Sequence, residues 1–159
     1  MANTIFKGTL SVPSGIIDVT DPCYDWDIWC RETVSVRPGS YNCYYTEEGS
    51  LVLSCKILHE DIDKDEEETL HVQSLNATIG VDAGLAGFFV NKPDFPDDIW
   101  QRFCKIVFGN GSEKAWNFSE ERGDLCTGFF TESGEGDGGY PVYAFYENGE
   151  IVGLSIEFD

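Results

Sequence analysis

Residues 141–158 read Pro141-Val142-Tyr143-Ala144-Phe145-Tyr146-Glu147-Asn148-Gly149-Glu150-Ile151-Val152-Gly153-Leu154-Ser155-Ile156-Glu157-Phe158. Two runs rich in β-branched and aromatic residues flank Asn148-Gly149. Asn-Gly is the strongest short hairpin signal, because both residues accept the positive φ of a type I′ turn. In the second run Ile151, Gly153, Ser155 and Glu157 alternate with Val152, Leu154, Ile156 and Phe158. A side-chain period of two puts the second set on one face, which is expected to be the core face.

The same pattern recurs toward the N-terminus. Thr4 to Val12, Ile16 to Thr20, Val34 to Val36, Tyr41 to Tyr45, Leu51 to Leu58, Leu70 to Leu75, Ala77 to Val81, Phe88 to Val90 and Leu125 to Thr131 all read as strands. Pro13-Ser14-Gly15, Arg37-Pro38-Gly39 and Glu47-Glu48-Gly49-Ser50 supply turns between them. Tyr24 to Cys30 holds two tryptophans and reads as a helical turn or a packed loop. One helix is predicted near 97–108: Ile99, Trp100, Phe103, Ile106 and Val107 recur at helical spacing. Asp97 or Asp98 is expected to cap it, and Gly109 and Gly111 to end it.

About nine or ten short strands with turn signals at close intervals predict a mostly β fold. The expected architecture is an antiparallel β-sandwich or distorted barrel with one packed helix. The 159 residues are the size of one domain, 1–159, with one core. Hydrophobic residues make up 42% of the chain, enough to fill that core.

The net charge of −19 bounds the partners. Direct binding of nucleic acid needs cations to neutralise phosphates, and an anionic membrane surface needs them too, so both are disfavoured. A basic protein partner, a cation or mimicry of nucleic acid remain open, as does simple solubility. No stretch reaches the roughly 20 apolar residues of a membrane-spanning helix. The first residues lack a basic region followed by an apolar run, which predicts a cytoplasmic address. The six cysteines, at 23, 30, 43, 55, 104 and 126, lack C-x-x-C spacing. They are expected to be free and mostly buried.

Glu60 to Glu68 is strongly acidic and is expected to be a solvated loop, 60–68. Asp61-x-Asp63-x-Asp65 resembles the start of a calcium loop, but Glu66 and Val72 occupy the places that need Gly and Glu. Three other segments sit at strand ends: Asp21-Pro22-Cys23-Tyr24, Asp82-Ala83-Gly84, and Gly134-Glu135-Gly136-Asp137-Gly138-Gly139-Tyr140. Their glycines allow positive φ and close backbone approach. Asp137 is expected either to point into a pocket or to bond its own backbone in an Asx-turn. Candidate ligand-binding residues are therefore Asp21, Cys23, Tyr24, Asp82, Gly84, Asp137, Gly138, Gly139 and Tyr140. Asp21, Asp82 and Asp137 together could hold a divalent cation, calcium or magnesium, because hard cations take carboxylate oxygens.

Five blocks in order resemble the bacterial and phage family known as domain of unknown function 4241. They are Val19-Thr20-Asp21-Pro22-Cys23-Tyr24, Val36-Arg37-Pro38-Gly39-Ser40-Tyr41, 79–89, Gly136-Asp137-Gly138-Gly139-Tyr140-Pro141-Val142-Tyr143 and 149–158. The resemblance implies a compact β-rich domain of bacterial or phage origin and imports no activity. It makes the acidic segment 60–68 an insertion peculiar to this chain. It also suggests a setting in host–phage conflict, as an inhibitor or sequestering factor.

Catalytic groups are sparse. His59 and His71 flank the acidic run, and Cys23 has no base near it in sequence. The expected function is non-enzymatic binding of a basic protein, or of a small ligand in a pocket formed by loops 21–24, 82–87 and 134–140. The alternative is a metal-dependent hydrolase of phosphodiester or nucleotide substrates, in which the three aspartates hold an ion that activates water. A second alternative is an acidic mimic of nucleic acid.

Overall fold

A computed structural model describes residues 2–23, 32–81, 84–92, 94–109, 111, 113–119 and 125–158, with the side chains of 76 and 77 excepted. Among the described residues, eleven strands form two antiparallel sheets. The first sheet contains β1 (Asn3–Val12), β4 (Gly39–Glu48), β5 (Leu51–His59), β6 (His71–Val81), β10 (Gly138–Glu147) and β11 (Glu150–Glu157), in the order β1-β4-β5-β11-β10-β6. The second contains β2 (Ile16–Thr20), β3 (Glu32–Ser35), β7 (Leu85–Val90), β8 (Ala115–Phe118) and β9 (Thr127–Glu132), in the order β3-β2-β7-β9-β8. Two open sheets facing each other make a sandwich, so the barrel alternative is set aside.

The inner faces meet in one large apolar layer. Leu10, Tyr41, Ile57, Ile79, Leu154 and Ile156 enter it from the six-stranded sheet. Ile17, Val19, Ala86, Phe88 and Phe129 enter it from the five-stranded sheet. The expected packed helix makes a second apolar layer on the other side of the five-stranded sheet. There α1 (Asp97–Phe108) and its surroundings pack Phe103 and Val107 with Leu85, Phe89, Trp116, Phe118 and Phe130. Every residue of β7 is consequently buried. Alternate side chains face the two layers, as the pleat requires.

Phe130 organises the second layer. Its ring lies 5.4 Å from both Phe103 and Trp116 and 5.6 Å from Phe89. Two glycines make room for this stack. A Cβ on Gly87 would lie 2.2 Å from the Phe129 carbonyl oxygen, and one on Gly128 would lie 2.4 Å from the Phe89 ring. The helix is where its periodicity placed it, but Pro96 occupies the N-cap position and no side chain caps the helix. Asp97 and Asp98 sit in the first turn, where a carboxylate favours the helix dipole without capping.

The closing hairpin forms as read. Asn148 and Gly149 have φ of 52° and 81°, the pattern of a type I′ turn. The alternation in β11 is broken, however. Phe145 pairs with Gly153 and Tyr146 with Ile151, which leaves Val152 without a partner. This bulge turns Val152 away from Leu154 and Ile156. Val152 joins Leu58, Phe145 and Ile62 in a small cluster on the outer face.

Several other boundaries shift. The runs 70–75 and 77–81 form one strand, irregular between the pairs Pro141–Thr78 and Tyr143–Ser74. Gly138, Gly139 and Tyr140 belong to β10, paired with Val81, Gly80 and Ile79, and are not loop residues. Strand β8 carried too short an apolar signal to be read. The Tyr24–Cys30 segment lies outside the described residues. The acidic segment is not a solvated loop throughout: Lys64–Thr69 is a 3-10 helix. Ile62 is buried beneath it, and Glu67 reaches Lys56 of β5 at 2.6 Å. One apolar anchor and one ion pair give an acidic stretch a reason to fold back.

Gly87→Ala is expected to lower stability by about 1–3 kcal/mol, because the new methyl meets backbone that cannot move without parting β7 from β9. Gly111→Ala, with open space around its Cβ position, is expected to change stability by less than about 0.5 kcal/mol. Urea denaturation of both variants reads the difference.

Candidate functional site

The register gathers the three strand-end segments at one end of the sandwich. β2 and β9 both run antiparallel to β7, so the start of β7 lies beside the ends of β2 and β9. The Ser133 amide donates to the Gly84 carbonyl at 3.1 Å, which ties the second segment to the third. The described candidate residues occupy unlike environments there.

Asp21 is fully buried. Its Oδ1 accepts the Cys23 amide at 2.8 Å, an Asx-turn. Tyr24 and Asp82 lie outside the described residues. Gly84 has φ of 72° with open space at its Cβ position, so it serves the turn and not a close approach. Asp137 is exposed and makes no hydrogen bond or ion pair among the described residues.

The third segment is a built turn. The Gly136 amide donates to the Ser133 carbonyl at 3.0 Å, and Gly134 at the first central position has φ of 63°. Ser133 Oγ donates to the Gly136 carbonyl at 2.8 Å. The Tyr140 hydroxyl lies 2.7 Å from that carbonyl and 3.1 Å from the Ser133 carbonyl. Tyr140 thus anchors the tip, and its ring stands edge-on to Phe158 at 5.1 Å. The tip presents Glu135 and Asp137 outward on a rigid frame. Gly134, Glu135 and Tyr140 also line a depression of about 300 Å³ with Leu51, Leu53 and Phe158. Asp21 and Gly84 are not among its lining residues.

The three-aspartate cation site needs Asp82, which lies outside the described residues. Of its other two members, one carboxylate is buried and bonded to a backbone amide, and the other stands in solvent. Among the described residues no three His, Cys, Asp or Glu side chains are grouped to hold a metal ion.

The histidines and thiols have structural surroundings. His59 is buried, accepts the Asp61 amide at Nδ1 (3.0 Å), and donates from Nε2 to the Pro38 carbonyl (2.9 Å). Both ring nitrogens are spoken for, and the pattern fixes the Nε2–H tautomer. Gly39 is required beside it, since a Cβ there would lie 2.5 Å from Nε2. His71 is exposed on the outermost strand. None of the five described cysteines is in a disulfide; Cys30 lies outside the described residues. Burial pushes the thiols of Cys43 and Cys55 well up, and that of Cys126 up to about 12. A thiol so held is a poor nucleophile at neutral pH.

The sequence reading missed a second concavity. It lies on the outer face of the six-stranded sheet, has a volume of about 500 Å³, and is lined in part by Lys56, Glu67, Tyr143, Ser155 and Glu157. Polar residues alternating with apolar ones on β5 and β11 are its only trace in the sequence.

No family model, curated protein or solved structure matches the chain. The resemblance to the domain of unknown function 4241 therefore rests on the sequence blocks alone. No helix among the described residues is long and apolar enough to cross a membrane.

Brief alkylation of native protein at pH 8, with mass mapping of the labelled peptides, is expected to modify the half-buried Cys23 and Cys104 ahead of Cys43 and Cys55. The latter two should react only after denaturation. Equal labelling of all four before denaturation would contradict the burial described above.

Proposed function

We propose that this protein is a non-enzymatic binding protein whose partner is a basic protein, met by the end of the sandwich that carries Asp21, Gly84 and the 133–137 turn. The observation that carries this reading is the glycine-loop tip. Glu135 and Asp137 stand exposed on a turn braced by Ser133 and Tyr140, and no cation faces either one among the described residues. A rigid anionic tip costs little ordering entropy on binding, which is the benefit of preorganisation.

The distribution of charge supports it. Lys7, Arg37, Lys56, Lys64 and Lys114 are each held in ion pairs within the chain. With these five cations engaged within the chain, the excess of 29 acidic over 10 basic residues is left largely unneutralised. Such a field steers a basic partner and raises its association rate. The buried thiols and the doubly bonded His59 offer no support to nucleophilic or general-base chemistry. The context proposed with it is cytoplasmic, with the protein acting as an inhibitor or sequestering factor in conflict between phage and host.

An NMR titration with an octalysine peptide tests the reading. Binding is expected at low salt, to weaken by about tenfold or more when salt is raised from about 0.05 to 0.3 M, and to shift the amides of 134–140. Glu135→Gln combined with Asp137→Asn should weaken it several-fold. Absence of binding at low salt, or shifts spread evenly over every acidic surface, would sink the proposal.

A further inference from the structure

Among the described elements, the 3-10 helix Lys64–Thr69 and Ile62 cover only part of the outer face of the six-stranded sheet. Its outward positions form a lattice of side chains. Lys56, Ser155, Tyr143 and Ser74 lie in register across β5, β11, β10 and β6. One row on, Leu58, Gly153, Phe145 and Val72 lie in register, and Gly153 contributes no side chain. The Leu58 and Phe145 side chains close over Gly153, and the groove of about 500 Å³ lies beside them, over Lys56, Ser155 and Tyr143 and against Phe145 and Val72. The 3-10 helix closes one side of it through Glu67.

The charged groups in the groove are unequal. Glu67 is neutralised twice, by Lys56 at 2.6 Å and by Lys64 at 3.4 Å. Lys56 is therefore committed, and its ammonium also lies 5.9 Å from the centre of the Phe145 ring. Glu157 has no cation facing it among the described residues. One of its oxygens accepts Ser155 Oγ, and Ser155 is buried. The other Glu157 oxygen makes no hydrogen bond among the described residues, and Glu157 lines the groove. Tyr143 supplies an aromatic face, and Val72 and Phe145 an apolar wall. Val72 is 47% exposed, on the edge strand β6.

An anion would meet two carboxylates here. A neutral apolar group would leave Glu157 desolvated and unpaired, which is costly. A cation on an aliphatic stem satisfies every surface at once: the charge on Glu157, the stem along Val72 and Phe145, and the ammonium or guanidinium near the Tyr143 ring. The geometry points to a subsite for a lysine or arginine side chain of a partner polypeptide, in the groove between Glu157, Tyr143 and Val72. This rests on the proposed docking of a basic protein and names a second place on the same partner's footprint. The charge complementarity of a chain at −19 argues for a polypeptide source. The groove and the depression beside Tyr140 are lined by chain neighbours, Ser54 and Glu157 in the one and Leu53 and Phe158 in the other.

The test uses the full chain and four probes: octalysine, octaarginine, Nε-acetylated octalysine and a linear tetraamine. Octalysine and octaarginine are expected to shift the amides of 54–56, 143–145 and 155–157. Glu157→Gln should weaken them about tenfold, and Tyr143→Ala severalfold. The acetylated peptide keeps the stem and loses the charge, so it should not bind. Amide spectra of both variants must keep the dispersion of the parent chain. If octalysine binds both variants as tightly as the parent, the groove is not the subsite, while docking of a basic partner at the loop end still stands. If octalysine does not bind the parent chain at low salt, both readings fall. If the tetraamine binds the groove as tightly as the peptides, a polypeptide source is overturned.

Discussion

The structure depends on how β11 sits in its sheet. It is hydrogen-bonded on one side to β5 and on the other to β10, so both of its edges are consumed. Leu154, Ile156 and Phe158 from one face of it enter the layer between the sheets. Burying such side chains is worth about 1.5–3 kcal/mol each, which outweighs the cost of one irregular pair in the ladder. The bulge at Val152 is therefore tolerated, and it has a use. It places one apolar side chain on the opposite face, where Leu58, Phe145 and Ile62 gather. That small cluster seats the acidic segment, and the acidic segment walls the outer groove.

The ion pairs carry different weights. Lys7 and Glu113 are exposed, so their pair is worth little. Arg37 is only 15% exposed in its side chain, and it bonds Glu147 and Glu150 at 3.0 Å each. Burial disfavours its charge, but Glu150 and Glu147 outweigh that and hold the guanidinium above its ordinary range. The Arg37 amide donates to the Ile151 carbonyl at 2.9 Å, so this one residue clamps the turn of the closing hairpin by backbone and side chain together. Lys56 is pushed down by burial, only partly restored by Glu67. Removing Glu67 would strand the half-buried Lys56 ammonium against the sheet.

These pairs explain why an acidic protein folds at all. Self-repulsion among 29 carboxylates opposes compaction. The chain places its few cations where they hold distant segments together. Arg37 reaches across to the last hairpin, Lys114 reaches Glu47 at 2.8 Å, and Lys56 holds the acidic helix. Among the described residues, Glu135, Asp137 and Glu157 are left with no cation facing them. The same arithmetic that stabilises the fold thus creates the surface proposed to meet a partner.

By itself the sequence determined the β class, the hairpin at Asn148-Gly149, the helix at Asp97–Phe108 and the apolar face of that helix. Each depends on contacts within a few residues: turn chemistry, a period of two, a period of 3.6. It also singled out three segments whose described parts, Asp21, Gly84 and the 133–137 turn, lie at one end of the sandwich. It could not show that Asp21 is buried while Asp137 is exposed, because burial is set by strands far apart in the chain. Nor could it place the Val152 bulge, which exists only in the pairing of β10 with β11. The second apolar layer required a helix to be laid across the five-stranded sheet. The outer groove required Lys56, Tyr143, Ser155 and Glu157 to come into register from three strands, and register is a property of the sheet, not of any one segment.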